Sequence, residues 1–514
     1  MGADLQRAWS LCLPKGGLLS PTAGSAPVAP TRTSSAAVVR ERVWTIAVVG
    51  AIVAWTVLLF VVVRSAFLNF RLGRFDLGNM VQSVWSTTQG RPLEMTDGST
   101  GEQVVRLGTH VDPFLVLLAP LWMLWPSPLA LALAQVAVVA LGALPVFWLA
   151  RRHLGSERLA GVLALSYLAY PWVATSAVGA IHPVTFAITF LLFAVWFLDS
   201  DRLLPFGIFA LLTMSTGELM GLPILGLGLW YAFVRGRRRP GVLIGVAGLA
   251  WSFVAVYLVV RHFRGDGSVY FGFYDQVGGS PQGVVRTLVT DPAVVLRALV
   301  EAHDIVYVIW LGLPLLFLFV LSPALAALAL PQLLANGLSD FRSMTDPRYH
   351  SVAAVIPFLI AATALGIARL PARHRSLAAG GVLACCLVIS LAVGPWARLV
   401  GSKALGAREV TPPARAAALE DAVALVPDGV PVTASNSAGG HLSAREVIHT
   451  VPVLGRAEWV VVDREDPWVV TSDSPILTRD PERVRALVAQ LGADRSWSKV
   501  FDRSQVVVFR RLER

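Results

Sequence analysis

Charge is what this chain has least of: only 15% of its 514 residues are Asp, Glu, Lys or Arg, against 55% hydrophobic. A soluble domain usually carries about a quarter charged residues, so the composition excludes an ordinary water-soluble enzyme. Lysine is confined to Lys15, Lys403 and Lys499, and the net charge of +10 rests on arginine. With abundant Ala, Gly and Val, that bias fits a GC-rich bacterial genome. Cysteine is confined to Cys12, Cys385 and Cys386, the last two adjacent in an apolar run. Neither a disulfide framework nor a zinc-ligand spacing can be built from them. No Walker sequence, Gly-x-Ser-x-Gly elbow or His-Glu-x-x-His pair occurs, which removes common signatures of nucleotide, ester and metalloprotease chemistry.

In place of charge the chain has apolar length. Ile46–Val63, Leu129–Ala150, Val242–Val260, Val352–Ile367 and Leu377–Val393 hold almost no ionisable groups. Each approaches the roughly 20 apolar residues that cross a bilayer as helix, and none shows the polar face of a soluble core helix. Spans are predicted at 44–64, 127–150, 158–177, 183–199, 203–217, 219–234, 241–260, 305–321, 323–338, 351–369 and 377–397, about eleven in all. Pro113–Trp125 is too short to cross and reads as re-entrant or interfacial. Residues 1–43, rich in Ala, Ser, Pro and Thr, read as a disordered cytoplasmic tail. They show no cleavable signal peptide, because the first apolar run is too long and begins too late.

Arginines orient this map. Arg151, Arg152 and Arg158 share one loop, Arg235 and Arg237–Arg239 a second, and Arg369, Arg373 and Arg375 a third. With the N-terminus inside, parity puts all three in the cytoplasm, as the positive-inside rule requires. The same parity puts 65–126, 178–182, 261–304, 339–350 and the chain beyond 398 outside. Residues 44–397 are then the transmembrane domain, with 65–126 its first outer loop. Residues 398–514 change character, with strand-length apolar runs and returning charge. Pro412–Val426 and Pro481–Leu491 read as helices, the second with Asp480 as cap. Val430–Ala434, Glu446–Val451 and Trp459–Asp463 read as strands, and Trp497–Phe501 with Gln505–Arg510 as a hairpin. The fold class predicted is an α-helical polytopic membrane protein with a small extracytoplasmic α/β domain at its C-terminal end. Acids interleaved with the arginines of that domain argue against nucleic acid as a partner.

Ionisable residues crowd on the outer side. Asp76 heads an amphipathic stretch running to Gln89, where it could act as a general base or cap the helix. His110, in Gly108-Thr109-His110-Val111-Asp112-Pro113, could bind phosphate, or a metal together with Asp112, or cap a turn. His182-Pro183 begins a span at the same face. Glu218 is flanked by apolar sequence on both sides, a functional position unless the acid reaches water at a helix end. Arg348-Tyr349-His350 puts cations beside an aromatic ring, which suits a lipid-linked phosphate, or is a solvated loop.

Taken in order, these stretches resemble a family of prokaryotic membrane proteins known as a domain of unknown function. The likeness runs through Phe75-Asp76-Leu77-Gly78-Asn79, Gln82, Trp85, Gly90, His110-Val111-Asp112-Pro113, Ala119-Pro120-Leu121, Gln135 and Pro145. It continues through Tyr170-Pro171, His182-Pro183, Glu218, Arg348-Tyr349-His350 and His441-Leu442-Ser443-Ala444-Arg445. That family is in turn similar to the GT-C glycosyltransferases, polytopic enzymes using polyprenyl-phosphate sugars. Their catalytic acid lies in the first extracytoplasmic loop, where this chain has Asp76. Where some relatives have a Lys-Pro-Pro-Leu-like segment this chain has His110–Pro113, without the lysine. The resemblance implies Asp76 as catalytic residue and Arg74, His110, Asp112, His182, Glu218, Arg348, Tyr349 and His350 as substrate- and phosphate-binding residues. It implies membrane lipid and a polyprenyl-phosphate-linked sugar as partners. A divalent metal is left open, since no motif indicates one.

The leading expectation is a multi-pass cell-membrane glycosyltransferase moving a sugar from such a donor to an extracytoplasmic acceptor. The alternatives are a transporter or flippase of a lipid-linked or anionic solute, and a non-catalytic membrane scaffold. The topology is directly testable. A reporter active only outside the cytoplasm, fused after Arg514, should be active, and its cytoplasmic counterpart silent; the reverse result would overturn the map.

Overall fold

The computed structural model describes residues 35–266, 268–398, 411–471 and 474–512. The tail expected at 1–43 lies outside the described residues up to position 34, as does most of the junction after 398.

Among the described residues, four helices are long and apolar enough to cross a bilayer: Val43–Leu68, Pro128–Leu154, Arg238–Arg264 and Ala372–Val393. A fifth candidate is the pair Glu157–Ala169 and Pro171–Val178, bent by 47°. The bend has a local cause. Pro171 offers no N–H and pushes Tyr170 into extended geometry (φ −63°, ψ 119°), so the helix restarts there. Pro183–Asp199, Leu203–Met214, Glu218–Val234, His303–Leu315 and Ile356–Arg369 are apolar but shorter. The chain is thus a multi-pass membrane protein, while a count of eleven full-length spans is not reached. The largest departure is at 305–338, expected as two continuous spans. Helix Ala302–Gly312 gives way to a short turn at Leu313–Leu315, followed by Leu316 and Phe317 in left-handed geometry. Pro323 and Pro331 then each open a new short segment, Pro323–Ala326 and Leu330–Gly337. Pro113–Leu124 is a short apolar helix of two parts, with Leu117, Met123 and Leu124 exposed.

Without water to expel, membrane helices pack by close approach, and small residues permit it. Helix Gly221–Leu229 crosses Arg238–Val254 through Gly221, Gly228, Gly241 and Gly248, where an added Cβ would strike the facing backbone. At one end of the bundle, two of the arginine-rich loops meet on the buried Asp199. Its carboxylate lies 3.3 Å from Arg152 Nε, 2.9 Å from His153 Nε2 and 3.7 Å from Arg235 Nη1.

The C-terminal domain is a sheet of β3 (Val432–Ala434), β4 (Ile448–Thr450), β5 (Trp459–Asp463), β8 (Trp497–Arg503) and β9 (Val506–Arg511). The strands lie in the order β4-β3-β5-β9-β8, parallel through β4, β3 and β5 and antiparallel beyond. Two small antiparallel pairs stand apart: β1 (Glu94–Thr96) with β2 (Gln103–Val105), and β6 (Trp468–Thr471) with β7 (Ser474–Arg479). Alternation sorts the sheet's side chains. Val461, Val506 and Val508 face helix Pro413–Ala424, while Val460, Val462, Val507 and Phe509 face helix Pro481–Ala493. The second helix opens as its sequence indicates, with Asp480 Oδ1 accepting from Arg483 N at 2.9 Å.

Phe70, from the loop after the first span, is buried in the same cluster as Leu419, Val432 and Ile448. The small domain therefore completes one of its cores with a residue of the membrane part. Beside it, helix Asn436–Leu442 lies against the turn Arg74–Gly78 almost backbone to backbone. A Cβ on Gly439 would collide with the Arg74 side chain, one on Gly440 with Leu72 O, and one on Gly78 with Ser443. The His441 ring is stacked between Phe67 and Phe70, with centroids 4.0 and 4.1 Å away, and hydrogen-bonds Phe67 O at 3.0 Å.

This contact predicts a contrast between two glycines. Gly439→Ala should lower stability by about 1–3 kcal/mol, the usual range for overpacking. Gly492→Ala, where a Cβ meets nothing, should be neutral or stabilising by up to about 1 kcal/mol. Thermal unfolding of both variants in detergent gives the comparison.

Candidate functional site

The loop after the first span turns at Gly73 and forms one wide helical turn, Arg74–Gly78, before helix Asn79–Thr88. The turn points its residues in opposite directions. Arg74 is buried, donating to Asn79 Oδ1, to Gln82 Oε1 at 3.0 Å, to Thr96 O at 3.0 Å and to Ile448 O at 3.4 Å. Asp76 is exposed. Asn436 holds the turn from the other domain, its Oδ1 accepting from Phe75 N at 2.9 Å. Gln82 adds donations from Nε2 to Arg445 O and Glu446 O, at 3.1 and 2.9 Å.

The Asp76 carboxylate acts electrostatically on His350, one of a group of imidazoles. His350 opens the turn His350–Val352, and His182 caps helix Pro183–Asp199. Their rings stack with centroids 3.7 Å apart and planes 25° from parallel. Gln135 fixes the approach to His182, accepting from its backbone N–H at 3.0 Å and donating to Ala177 O and Ala180 O. His110 stacks on Tyr270, centroids 4.6 Å apart, with Nδ1 3.4 Å from Glu218 Oε1. The other Glu218 oxygen accepts from Val111 N at 3.1 Å. Beneath this layer Arg106 and Asp112 form a buried pair, Nε lying 2.9 Å from both carboxylate oxygens and Nη2 2.7 Å from Oδ2. Two parallel N–H donors on one carboxylate make this a strong, oriented contact.

Burial sets the charge of the imidazoles. His182 is pushed down to about 3 by burial first, then by Arg106 and His110. His350 is held well below its ordinary value by burial and by His182, with the Asp76 carboxylate opposing the shift. Both rings are therefore neutral near pH 7, each with one N–H to donate.

Five of the nine residues assigned from sequence thus share one neighbourhood: Asp76, His110, His182, Glu218 and His350. The other four do not join it as binding groups. Arg74 is spent on backbone and side-chain acceptors between the domains. Asp112 is taken by Arg106, so it does not converge with His110 as a metal ligand; among the described residues no cluster of three or more His, Cys, Asp or Glu could hold a metal ion. Arg348 turns outward onto Asp346, Nη2 to Oδ2 2.6 Å, and Tyr349 beside it is exposed. Sequence reasoning missed Arg106, Tyr270 and Asn436. Arg106 had a weak signal in its closeness to Asp112. Tyr270 and Asn436 reach the site only through the fold.

Fold and site together define a polytopic membrane protein with polar chemistry gathered at the ends of its helices and a small strand-containing domain. The chain belongs to the family of predicted membrane proteins designated DUF2079, whose model matches residues 66–508. Its fold is similar to that of ArnT from Cupriavidus metallidurans, crystallised bound to undecaprenyl phosphate. The TM-score is 0.51 and the identity 14%, over 90% of this chain and 98% of that one, a likeness of fold alone. No curated protein matches the sequence.

A pH effect follows from the neutral imidazoles. Unfolded, His182 takes up a proton below its ordinary 6.5; folded, it resists until about 3. The unfolded state therefore binds more protons in that window, and stability should fall as pH falls through it. Thermal midpoints measured at pH 6.5 and 4.5 should drop more in wild type than in His182→Gln. Equal drops would mean that His182 is not held neutral.

Proposed function

We propose that this protein is a membrane glycosyltransferase that moves a sugar from a polyprenyl-phosphate donor to an acceptor hydroxyl on the extracytoplasmic side. The observation that carries the reading is an exposed carboxylate, Asp76, acting electrostatically on the buried His350 ring, which stacks on His182 ahead of two apolar helices. Support of a second kind comes from the fold likeness to a protein that binds undecaprenyl phosphate.

In this mechanism the acceptor oxygen attacks the anomeric carbon of the donor sugar. The bond from that carbon to the phosphate oxygen breaks, and its electron pair leaves with the phosphate. Asp76 takes the hydroxyl proton as the new bond forms, a role that needs an ionised, accessible carboxylate. His350 and His182 donate hydrogen bonds to phosphate oxygens as charge develops there. His110, steadied by Glu218 and Tyr270, closes the other side. Arg106 is a positioning residue, holding the turn before His110 through Asp112. The N-terminus is cytoplasmic and the C-terminal domain extracytoplasmic in this scheme, so a lipid-linked donor enters sideways from the bilayer. A transporter or flippase would be expected to gather its ionisable groups near mid-span. These residues instead precede the helices Pro183–Asp199 and Ile356–Arg369.

Asp76→Asn keeps the shape of the side chain and removes the base. It should insert and accumulate normally while losing about 10²–10⁴-fold in transfer rate. Asp97→Asn, whose carboxylate accepts from Ser99 and Thr100 in its own turn, should retain transfer. Asp112→Asn should instead reduce folded protein, since removing one partner of a buried ion pair costs about 3–5 kcal/mol. Sugar transfer from a polyprenyl-phosphate donor by purified protein is the assay. Full rate in Asp76→Asn would sink the assignment.

A further inference from the structure

Helices Pro281–Thr290 and Pro292–Leu299 form a short hairpin turned at Asp291. One side of it is packed. Val295 and Ala298 are buried with Val277, and Tyr274, Val284 and Leu338 close around them. The other side is apolar too, and it is bare. Val285, Leu288 and Val289, spaced to share one face of the first helix, are 62%, 50% and 78% exposed. Leu296 and Val300 of the second segment are 60% and 63% exposed. Arg286 and Arg297 stand exposed beside this stripe. The hairpin lies between Arg238–Arg264, an apolar helix of spanning length, and the apolar helix His303–Leu315. Both carry exposed apolar faces, with Val246, Leu249 and Phe253 on the first and Ile305, Val308 and Ile309 on the second.

We propose that this hairpin lies flat on the membrane, its Val285–Val289 and Leu296–Val300 stripe sunk into the acyl boundary and its two arginines among anionic lipid phosphates. An amphipathic helix with basic residues flanking a strong apolar face is the form that binds in the interfacial plane. The stripe is joined in the chain to a spanning-length helix before it and an apolar helix after it, both with bare apolar faces, and this, with the two arginines, singles out lipid as the occupant. Arginine supplies the matching charge for phosphate headgroups.

The consequence reaches the candidate site. The turn Val269–Val277 carries Tyr270, which stacks on His110. That turn is joined rigidly to the hairpin, because Gly278, at φ 111°, meets Gly283 backbone to backbone with no room for a Cβ. A hairpin seated on the bilayer therefore fixes the height of Tyr270 and His110 relative to the lipid phosphates. The membrane contact depends on the multi-pass fold and not on glycosyl transfer, so it can fail or hold independently of that function.

The test places nitroxide labels in the full chain, through Leu288→Cys, Val289→Cys, Leu296→Cys and Asp291→Cys, with labelled wild type as background for the native cysteines. The protein is held in nanodiscs of phosphatidylcholine and phosphatidylglycerol. Power saturation compares collisions with oxygen, which concentrates in lipid, and with a water-soluble nickel chelate. Labels at 288, 289 and 296 should favour oxygen, while that at 291 favours nickel more than they do. Nickel access at 288, 289 and 296 equal to that at 291 would overturn the proposal in favour of a solvated hairpin. Protection from both reagents would overturn it in favour of a protein covering the stripe.

Discussion

A guanidinium buried between two domains has to find acceptors, and much of this architecture follows from where Arg74 finds them. They lie on helix Asn79–Thr88, on strand β1 through Thr96, and on strand β4 through Ile448. A buried charge without such partners would cost several kcal/mol. The three segments must therefore meet around Arg74 for the loop after the first span and the small domain to be ordered together. The glycines of Asn436–Leu442 allow that meeting, and the Phe67–His441–Phe70 stack closes it on the membrane side. Asp76, two residues from Arg74 and on the opposite side of one turn, inherits its position from this joint.

The acids around the site show how environment divides labour among similar groups. Asp112 is buried and neutralised by a fork of Arg106 donors. Glu218 is bonded to the Val111 backbone and to His110. Asp76 alone among the three stands exposed, near imidazoles that burial keeps neutral. A neutral imidazole donates a hydrogen bond without presenting a fixed positive charge.

Within the membrane part, different constraints apply at different places. Glycine pairs let Gly221–Leu229 and Arg238–Val254 approach closely, and Asp199 gathers Arg152, His153 and Arg235 at one end. Prolines break the segment from 313 to 337 into short turns. Irregular backbone of that kind is tolerated at membrane depth where protein surrounds it. Leu315, Leu325 and Ala329 are buried there, while Leu316, Phe317 and Val320 are exposed.

The sequence by itself determined the membrane class, because apolar length needs no partner to be read. It determined the strand-bearing domain at the C-terminal end, where short apolar runs at Trp459–Asp463 and Gln505–Arg510 read as strands. It also marked Asp76, His110, His182, Glu218 and His350, since polar residues in an apolar chain stand out without any knowledge of contacts. Continuity of the spans was less legible: hydropathy over 305–338 sums correctly but is blind to what three prolines do to backbone hydrogen bonds. Only the tertiary structure decided which polar residues face one another. Arg74 and Asp76 look alike in the sequence, yet one is sealed between domains and the other left open, because a wide helical turn sends neighbouring side chains opposite ways. Asp112 and Glu218 were separated by their partners, and Tyr270 and Asn436 were brought in from more than a hundred residues away. Those pairings depend on long-range packing of helices and of a second domain, and composition and local period carry no record of it.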